Sequence, residues 1–281
     1  MTLFDNIASP LRVAKKKYAE TEIKRKVAET AELLGLSGIL QHLPEEVSGG
    51  QRQRCAIARA LVKESRFIFL DEPLANLDYK LREELRADLK QIFRERDGVV
   101  VYATPEPIDA LTMATHVAFM RKGEILQYGE VRDVYRNPAH AAVGSYFCHP
   151  QMNMIPCSME NRESGESLLR VSQELAFEVS LDRQKLPSDR YLLGIRPHHL
   201  YLADPLNRMV PFQANVELAE VVGSNTELHL SHDAVRISLL MQQVERFPVG
   251  KKVTAFIDPD ELYIFDSETG TFVIRTGNRF K

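Results

Sequence analysis

Cysteine is scarce in this 281-residue chain, which contains only Cys55, Cys148 and Cys157. Three cysteines cannot all pair within one chain, and none of them stands in a Cys-x-x-Cys pair. Both facts argue against a disulfide framework and against a structural metal site. The pattern suits a reducing compartment, in which cysteine acts as a small apolar residue.

Excess positive charge and long apolar runs are also missing. The 36 Lys and Arg residues and 39 Asp and Glu residues give a net charge of −3, so no general basic field indicates a nucleic-acid partner. No apolar run approaches the roughly 18 residues that span a bilayer. Residues 1–6 also lack the layout of a secretory signal. We therefore expect a soluble, cytoplasmic protein.

The first half of the chain alternates helical and strand patterns. Apolar residues recur at helical spacing over 20–34 and again over 79–96, and a third helix is predicted to begin at Ser48. The short run 67–70 is continuously apolar, which predicts a strand buried on both faces. A second strand is predicted over 99–102, and the order strand, helix, strand predicts that the two strands pair in parallel.

The pattern changes near residue 150. Eight short alternating or β-branched runs follow, separated by Gly, Pro, Asp and Ser. Such runs are typical of a small all-β sandwich or barrel. The chain is therefore predicted to contain two domains, residues 1–149 and residues 150–281.

Two motifs in the first domain carry candidate chemistry. Ser48-Gly49-Gly50-Gln51 fits a capping box, and its glycines would let a phosphate approach the free N–H groups of a helix start. Taken alone, this pattern favours an ordinary helix cap. Asp71 and Glu72 follow the predicted strand, where a Mg²⁺-associated carboxylate and a second acid near an attacking water are commonly placed. The two motifs in this order favour a functional site.

These motifs resemble those of the nucleotide-binding subunits of ABC transporters. Residues 47–54 look like the ABC signature, residues 67–72 like Walker B with its catalytic glutamate, and Ala75-Asn76-Leu77-Asp78 like the D-loop. In the second domain, residues 194–200 and 221–224 resemble the accessory TOBE β-barrel of carbohydrate and polyol importers. The resemblance implies an α/β fold in which a partial P-loop-type ABC ATPase domain precedes a small all-β, OB-like barrel domain.

The resemblance also implies roles and partners. Ser48, Gly49, Gly50 and Gln51 would meet the γ-phosphate of ATP held by a second ATPase subunit, and Asp78 would join the two halves. Asp71 would hold Mg²⁺ through water, and Glu72 would polarise the attacking water. The other implied partners are transmembrane permease subunits and, indirectly, a periplasmic or extracellular solute-binding protein. The implied location is peripheral, at the cytoplasmic face of the cell membrane.

Two departures from the family pattern stand out. The 281 residues contain no Gly-x-x-x-x-Gly-Lys-Ser/Thr motif, and residues 2–11 resemble the family segment that follows the Q-loop. We expect the Walker A and Q-loop portion to have been lost, or the start to be an internal methionine. The second departure is Pro105, which stands where the family has a switch histidine. Residues 104–107 are similar to the altered switch loop of glycerol-like polyol importers, and loss of activity is an equal interpretation.

Three functions remain open at this point. The first is an ATP-hydrolysing importer subunit for sugars or polyols. The second is a catalytically silent partner whose signature helix completes another subunit's ATP site and whose β-domain binds a regulatory protein or small molecule. The third is an ABC ATPase that acts on nucleic acid or ribosomes, but the net charge of −3 and the importer-like β-domain weigh against it.

Overall fold

A computed structural model describes residues 1–75, 77–161, 167–179, 190–205 and 207–277. The chain divides into two compact units, Met1–Met113 and Ala114–Lys281. Asn76 of the D-loop-like motif lies outside the described residues.

The first unit is mostly helical around a pair of strands. Its helices are α1 (Leu3–Arg12), α2 (Glu20–Leu33), α3 (Gly49–Leu61), α4 (Tyr79–Glu95) and α5 (Pro107–Met113), and its strands are β1 (Phe67–Asp71) and β2 (Val99–Ala103). β1 and β2 pair in parallel, with Phe67 opposite Val99 and Asp71 opposite Ala103. The predicted helices, strands and parallel pairing are therefore confirmed.

One apolar core holds this unit together. α1 buries Leu3, Ile7 and Leu11, which lie three or four residues apart and so share one helix face. α2 contributes Ile23 and Val27 to the same core. α2 thus packs through the stripe that its periodicity predicted, whereas α1 was not predicted from the sequence.

The prediction that the first strand is buried on both faces is wrong. In β1, Ile68 and Leu70 are buried, whereas Phe67 and Phe69 are 62% and 72% exposed. Phe67 and Phe69 lie beside Val99 and Val101 of β2, which are also exposed. Successive strand residues point to opposite faces, and among the described residues of this unit the apolar core covers only one face of the pair.

The second unit begins with a hairpin and two short helices. These are β3 (His116–Arg121), β4 (Glu124–Glu130), α6 (Val131–Arg136) and α7 (Ala141–Tyr146). Among the described residues of the whole chain, no helix is both long and apolar enough to cross a membrane.

Two antiparallel sheets form the rest of the second unit. One has the strand order β15-β14-β8-β5-β6-β7, and the other has the order β12-β11-β10-β13-β9. Their ranges are β5 (Asn153–Asn161), β6 (Ser167–Arg170), β7 (Ala176–Val179), β8 (Arg190–Ile195), β9 (Leu200–Tyr201), β10 (Val210–Val222), β11 (Asn225–His232), β12 (Val235–Met241), β13 (Lys252–Ile257), β14 (Tyr263–Asp266) and β15 (Phe272–Arg275).

The two sheets share a single core. Leu228 and Leu230 of β11 and Leu193 and Ile195 of β8 are buried in it, and each pair is two residues apart on its strand. Asn153 of β5 joins the sheets, since its side chain donates to the Ser238 carbonyl on β12 at 2.8 Å and accepts from the Ser238 N–H at 2.7 Å. The predicted all-β, OB-like domain is confirmed.

Residues 114–149 group with the β-rich unit in this structure. The His140 Nε2 atom lies 2.9 Å from the Thr269 carbonyl oxygen, and the Ala141 N–H donates to the Gly270 carbonyl at 2.8 Å. The Arg196 guanidinium lies 3.7 Å from the centre of the Tyr135 ring. The boundary between the two compact units therefore lies before Ala114. The predicted functional boundary at residue 149 stays a prediction.

Candidate functional site

The start of α3 carries the predicted signature residues. Ser48 caps the helix: its hydroxyl accepts from the Gln51 N–H at 3.3 Å, and the Gln51 side chain accepts from the Ser48 N–H at 2.9 Å. This is the reciprocal capping box that the sequence predicted. Ser48 and Gly49 are exposed. The first amides of a helix have no carbonyl partner of their own, so the Gly49 and Gly50 N–H groups remain available as donors.

The two signature glycines occupy different surroundings. A Cβ atom on Gly49 would meet nothing closer than the Arg52 guanidinium at 3.8 Å. A Cβ atom on Gly50 would lie 2.1 Å from Cδ2 of Leu81, on α4. Gly50 is buried, and the close approach of α3 and α4 requires a residue without a side chain there. Only Gly49 leaves open space for a ligand.

Asp71 and Glu72 lie at the carboxyl end of β1, and both are exposed. Glu72 has a φ of 44°, a left-handed conformation that is uncommon for a residue other than glycine. Its N–H donates to the Ala103 carbonyl at 2.9 Å, and its carbonyl accepts from the Ala75 N–H at 3.0 Å. These two bonds hold a tight turn that begins where the strand ends. Uncommon backbone conformations of this kind are concentrated at functional sites.

Glu72 lines a cleft of about 210 Å³. Thr104, Pro105 and Glu106, which follow β2, also line it, together with Arg82 of α4. The Arg82 guanidinium pairs with the Glu106 carboxylate at 3.1 Å. Pro105, which the resemblance places at the position of a switch histidine, therefore lines the same cleft as the predicted catalytic glutamate.

A buried polar network adjoins this cleft, and its central residue, Asp109, also lines the cleft. Asp109 of α5 is 1% exposed, and its carboxylate accepts from the Arg86 Nε at 2.7 Å. The Tyr102 and Thr104 hydroxyls donate to its other oxygen at 3.2 and 3.1 Å. Burial and the neighbouring Asp109 charge raise the pKa of Tyr102, which keeps its proton as a donor. Burial opposes the charge of Arg86, but hydrogen bonds to Glu83 and Asp109 outweigh it and raise the pKa of Arg86.

Sequence reasoning missed this network. Its one signal was the spacing of Arg82 and Arg86, four residues apart and therefore on one face of α4. The partner, Asp109, is 23 residues from Arg86, so no local pattern connects the two.

Asp78, the last of the predicted site residues, caps α4. Its carboxylate accepts from the Leu81 N–H at 3.0 Å, and its side chain is exposed. This is a helix-capping role within the chain. The predicted role of Asp78 between two subunits stays a prediction.

The structure brings the predicted residues together only in part. The Gln53 side chain on α3 donates to the Pro73 carbonyl at 2.7 Å, which ties the signature helix to the turn after Glu72. Glu72 lines the cleft, and the six other predicted residues do not. Within the part of the chain that the structure describes, no hydrogen bond joins residues 48–51 to Asp71 or Glu72.

Comparison with known proteins decides the family. The ABC transporter family matches residues 1–75, and the TOBE domain family matches residues 193–265. The trehalose/maltose import ATP-binding protein MalK of Thermococcus litoralis is 36% identical over 277 residues, which cover 96% of this chain and 73% of that protein. The chain is a member of the ABC transporter ATP-binding subunits. It therefore belongs to an ATPase family.

Two further ATP-binding subunits that are similar to this chain are also named as import proteins. The sn-glycerol-3-phosphate import ATP-binding protein UgpC of Cereibacter sphaeroides is 34% identical over 272 residues, covering 96% of this chain and 74% of that protein. The oligosaccharides import ATP-binding protein MsmX of Bacillus subtilis is 31% identical over 278 residues, with the same two coverages. The ABC transporter match contains the α3 cap and the Asp71–Glu72 pair, and the TOBE match lies within the β-rich unit.

Proposed function

We propose that this chain is the ATP-hydrolysing subunit of an ABC importer for sugars or polyols. The observation that carries the proposal is the placement of Glu72: a carboxylate at the end of β1, in a left-handed turn, lining a cleft. The names of the relatives, which refer to import of trehalose and maltose, of sn-glycerol-3-phosphate and of oligosaccharides, support the class of solute. A glycerol-like polyol belongs to this class.

The described residues fit ATP and Mg²⁺ in the proposed roles. Ser48, Gly49 and Gln51 lie at a helix N-terminus whose Gly49 and Gly50 N–H groups have no carbonyl partner in the helix, which suits the γ-phosphate of ATP held by a second ATPase subunit. Gly50 would contribute only its N–H group, because Leu81 fills the space that a side chain at this position would need. Asp71 is an exposed carboxylate of the kind that holds Mg²⁺ through water. When bound, Mg²⁺ neutralises charge on the phosphate oxygens.

Glu72 would act as the water-polarising group. An exposed carboxylate that lines a cleft is able to accept a hydrogen bond from a water and so increase its nucleophilicity. The Glu72 backbone is in a left-handed turn, and its N–H holds this turn to β2 through the Ala103 carbonyl. Asp78 would lie at the boundary with the second ATPase subunit.

The proposal includes partners and a location. The chain would pair with a second ATPase subunit, drive transmembrane permease subunits and serve a solute-binding protein indirectly. It would lie at the cytoplasmic face of the cell membrane as a peripheral subunit, without a nucleic-acid partner. Residues 1–149 would form the ATPase part, and residues 150–281 the TOBE part.

A second function is favoured by one observation. Pro105 lines the Glu72 cleft at the position where the resemblance predicts a histidine, and proline offers no side-chain donor there. On this alternative the chain is catalytically silent, and its signature helix completes an ATP site whose phosphate cradle belongs to another subunit.

Two substitutions separate these functions in the assembled complex. Replacing Glu72 with Gln should lower ATP turnover by about 10²-fold or more with ATP binding unchanged, if this chain hydrolyses ATP. Gly49→Asp places a charge at the exposed cap and should lower turnover under either function. Glu84→Gln, on the exposed surface of α4, is the matched control.

The pattern of effects decides between them. A loss with both Glu72→Gln and Gly49→Asp supports hydrolysis at the Glu72 site. A loss with Gly49→Asp alone supports the silent partner. If neither substitution changes turnover, both proposals are refuted.

A further inference from the structure

The buried network beside the Glu72 cleft contains no residue with a role in the proposed hydrolysis. Asp109 accepts three hydrogen bonds there, one from Arg86 and two from hydroxyl groups. A carboxylate with this much burial is costly unless every bond is made. The arrangement is therefore rigid, and it contacts the loop that forms one wall of the cleft.

Thr104 connects Asp109 to that loop. Its hydroxyl donates to Asp109 at 3.1 Å and accepts from the Glu106 N–H at 3.0 Å. A threonine hydroxyl has one hydrogen to donate, and an ionised carboxylate is only an acceptor. Asp109 therefore accepts the one hydrogen bond that the Thr104 hydroxyl can donate, and the oxygen lone pairs of Thr104 remain to accept from the Glu106 N–H. The donor and the acceptor are therefore fixed in both hydrogen bonds that lead from Asp109 through Thr104 to Glu106.

The loop is coupled to Glu72 through the backbone. The Glu72 N–H donates to the carbonyl of Ala103, the residue before Thr104, at 2.9 Å. Thr104 and Glu106 line the same cleft as Glu72. A displacement of Thr104 thus moves the carbonyl that holds Glu72 in its left-handed conformation.

We propose that Asp109 is a positioning residue, which acts through Thr104 to hold Glu72 and the 104–106 loop at a fixed separation across the cleft. The inference rests on the proposed role of Glu72. In this role α5 contributes to hydrolysis indirectly: its Asp109 holds the Thr104 hydroxyl, which in turn holds the Glu106 N–H.

Tyr102 and Thr104 provide a matched pair for the test. Both hydroxyls donate to the same oxygen of Asp109, at 3.2 and 3.1 Å. Only Thr104 continues to the loop, through the Glu106 N–H. Tyr102→Phe and Thr104→Val each delete one hydroxyl with little change of shape. A purely structural network predicts similar effects for the two, whereas a positioning network predicts an effect of Thr104→Val alone.

The first measurement is steady-state ATP hydrolysis by the assembled complex. Thr104→Val should lower kcat by roughly 10-fold to 10²-fold with KM for ATP unchanged, because misplacement of a catalytic group costs rate rather than binding. Thr104→Ser keeps the hydroxyl and should therefore retain the kcat of the unmodified complex. Tyr102→Phe should leave kcat within about twofold of that value. Equal losses for Tyr102→Phe and Thr104→Val, or a change in KM alone, would overturn the inference.

The second measurement does not depend on hydrolysis. In the 281-residue chain, amide hydrogen exchange at Glu72 and Glu106 should be faster by about 2-fold to 10-fold in Thr104→Val and unchanged in Tyr102→Phe. If Glu72→Gln leaves turnover unchanged, the proposed function fails, and this exchange experiment still tests the coupling. Unchanged exchange at Glu72 in Thr104→Val would refute the coupling.

Discussion

Replacing Gly50 with alanine tests the contact between the signature helix and α4. The new methyl group would lie 2.1 Å from Leu81 Cδ2 and 3.3 Å from Leu81 Cγ. Atoms cannot approach to 2.1 Å without a shift, and Leu81 is only partly exposed, packed against the apolar core. The leucine or the helix must therefore move.

The expected magnitude follows from comparison with Gly49→Ala. Overpacking a filled space costs about 1 to 3 kcal/mol, while glycine to alanine at a compatible position gains about 0.4 to 1 kcal/mol through the unfolded chain. The gain applies to both glycines, and the overpacking cost applies only to Gly50, since Gly49 has no neighbour within 3.8 Å. The two variants should differ in free energy of unfolding by about 1 to 3 kcal/mol, with Gly50→Ala less stable.

Urea unfolding followed by circular dichroism at 222 nm is the assay. The chain has no tryptophan, and five of the seven α-helices in its described part lie in the first unit, so this signal reports mainly on that unit. Adding Leu81→Ala to Gly50→Ala should recover about 1 kcal/mol or more relative to the sum of the single changes, because it removes the atoms that the new methyl group meets. Equal stabilities of Gly49→Ala and Gly50→Ala, or strict additivity in the double variant, would refute the proposed contact.

Three further predictions concern the cap of α4, the cysteines and His198. Asp78→Ala should lower the free energy of unfolding by about 1 kcal/mol and Asp78→Ser by less, as measured in urea; equal losses would contradict the capping role. Burial raises the pKa of Cys55, of Cys148 to about 11 and of Cys157 to about 12, so all three should react with a thiol reagent at pH 8 only after unfolding. Fast reaction of the folded chain would contradict this. Burial, with the charges of its neighbours, lowers the pKa of His198 to about 4, so the unfolded chain binds the extra proton first as pH falls below about 6.5. Stability should therefore decrease from pH 6.5 to pH 4, and His198→Asn should make that decrease smaller in urea midpoints; an unchanged slope would contradict the assignment.

Much of the first unit follows from local chemistry. The α3 cap was predictable because Ser48 and Gln51 satisfy each other's amides within three residues. The parallel pairing of β1 and β2 followed from the order of strand, helix and strand. The placement of Asp71 and Glu72 at a strand end required only the length of the apolar run before them.

Burial of β1 was not predictable in the same way. A continuous apolar run is compatible with one covered face or two, and Phe69 at 72% exposure shows that it has one within this unit. The division of the chain before Ala114 could also not be predicted from the composition of the sequence. It depends on contacts such as His140 with Thr269, which are 129 residues apart.

The sequence by itself determined the family motifs, the helix caps and the change from helical patterns to β-strand patterns, because each depends on residues a few positions apart. Tertiary structure alone decided that Gly50 serves packing against Leu81 while Gly49 stays open. It also decided that Asp109 joins Arg86, Tyr102 and Thr104 beside the Glu72 cleft. The physical reason is that a buried polar group must find its partners in space, and the chain order does not state which distant side chains will lie within hydrogen-bonding distance.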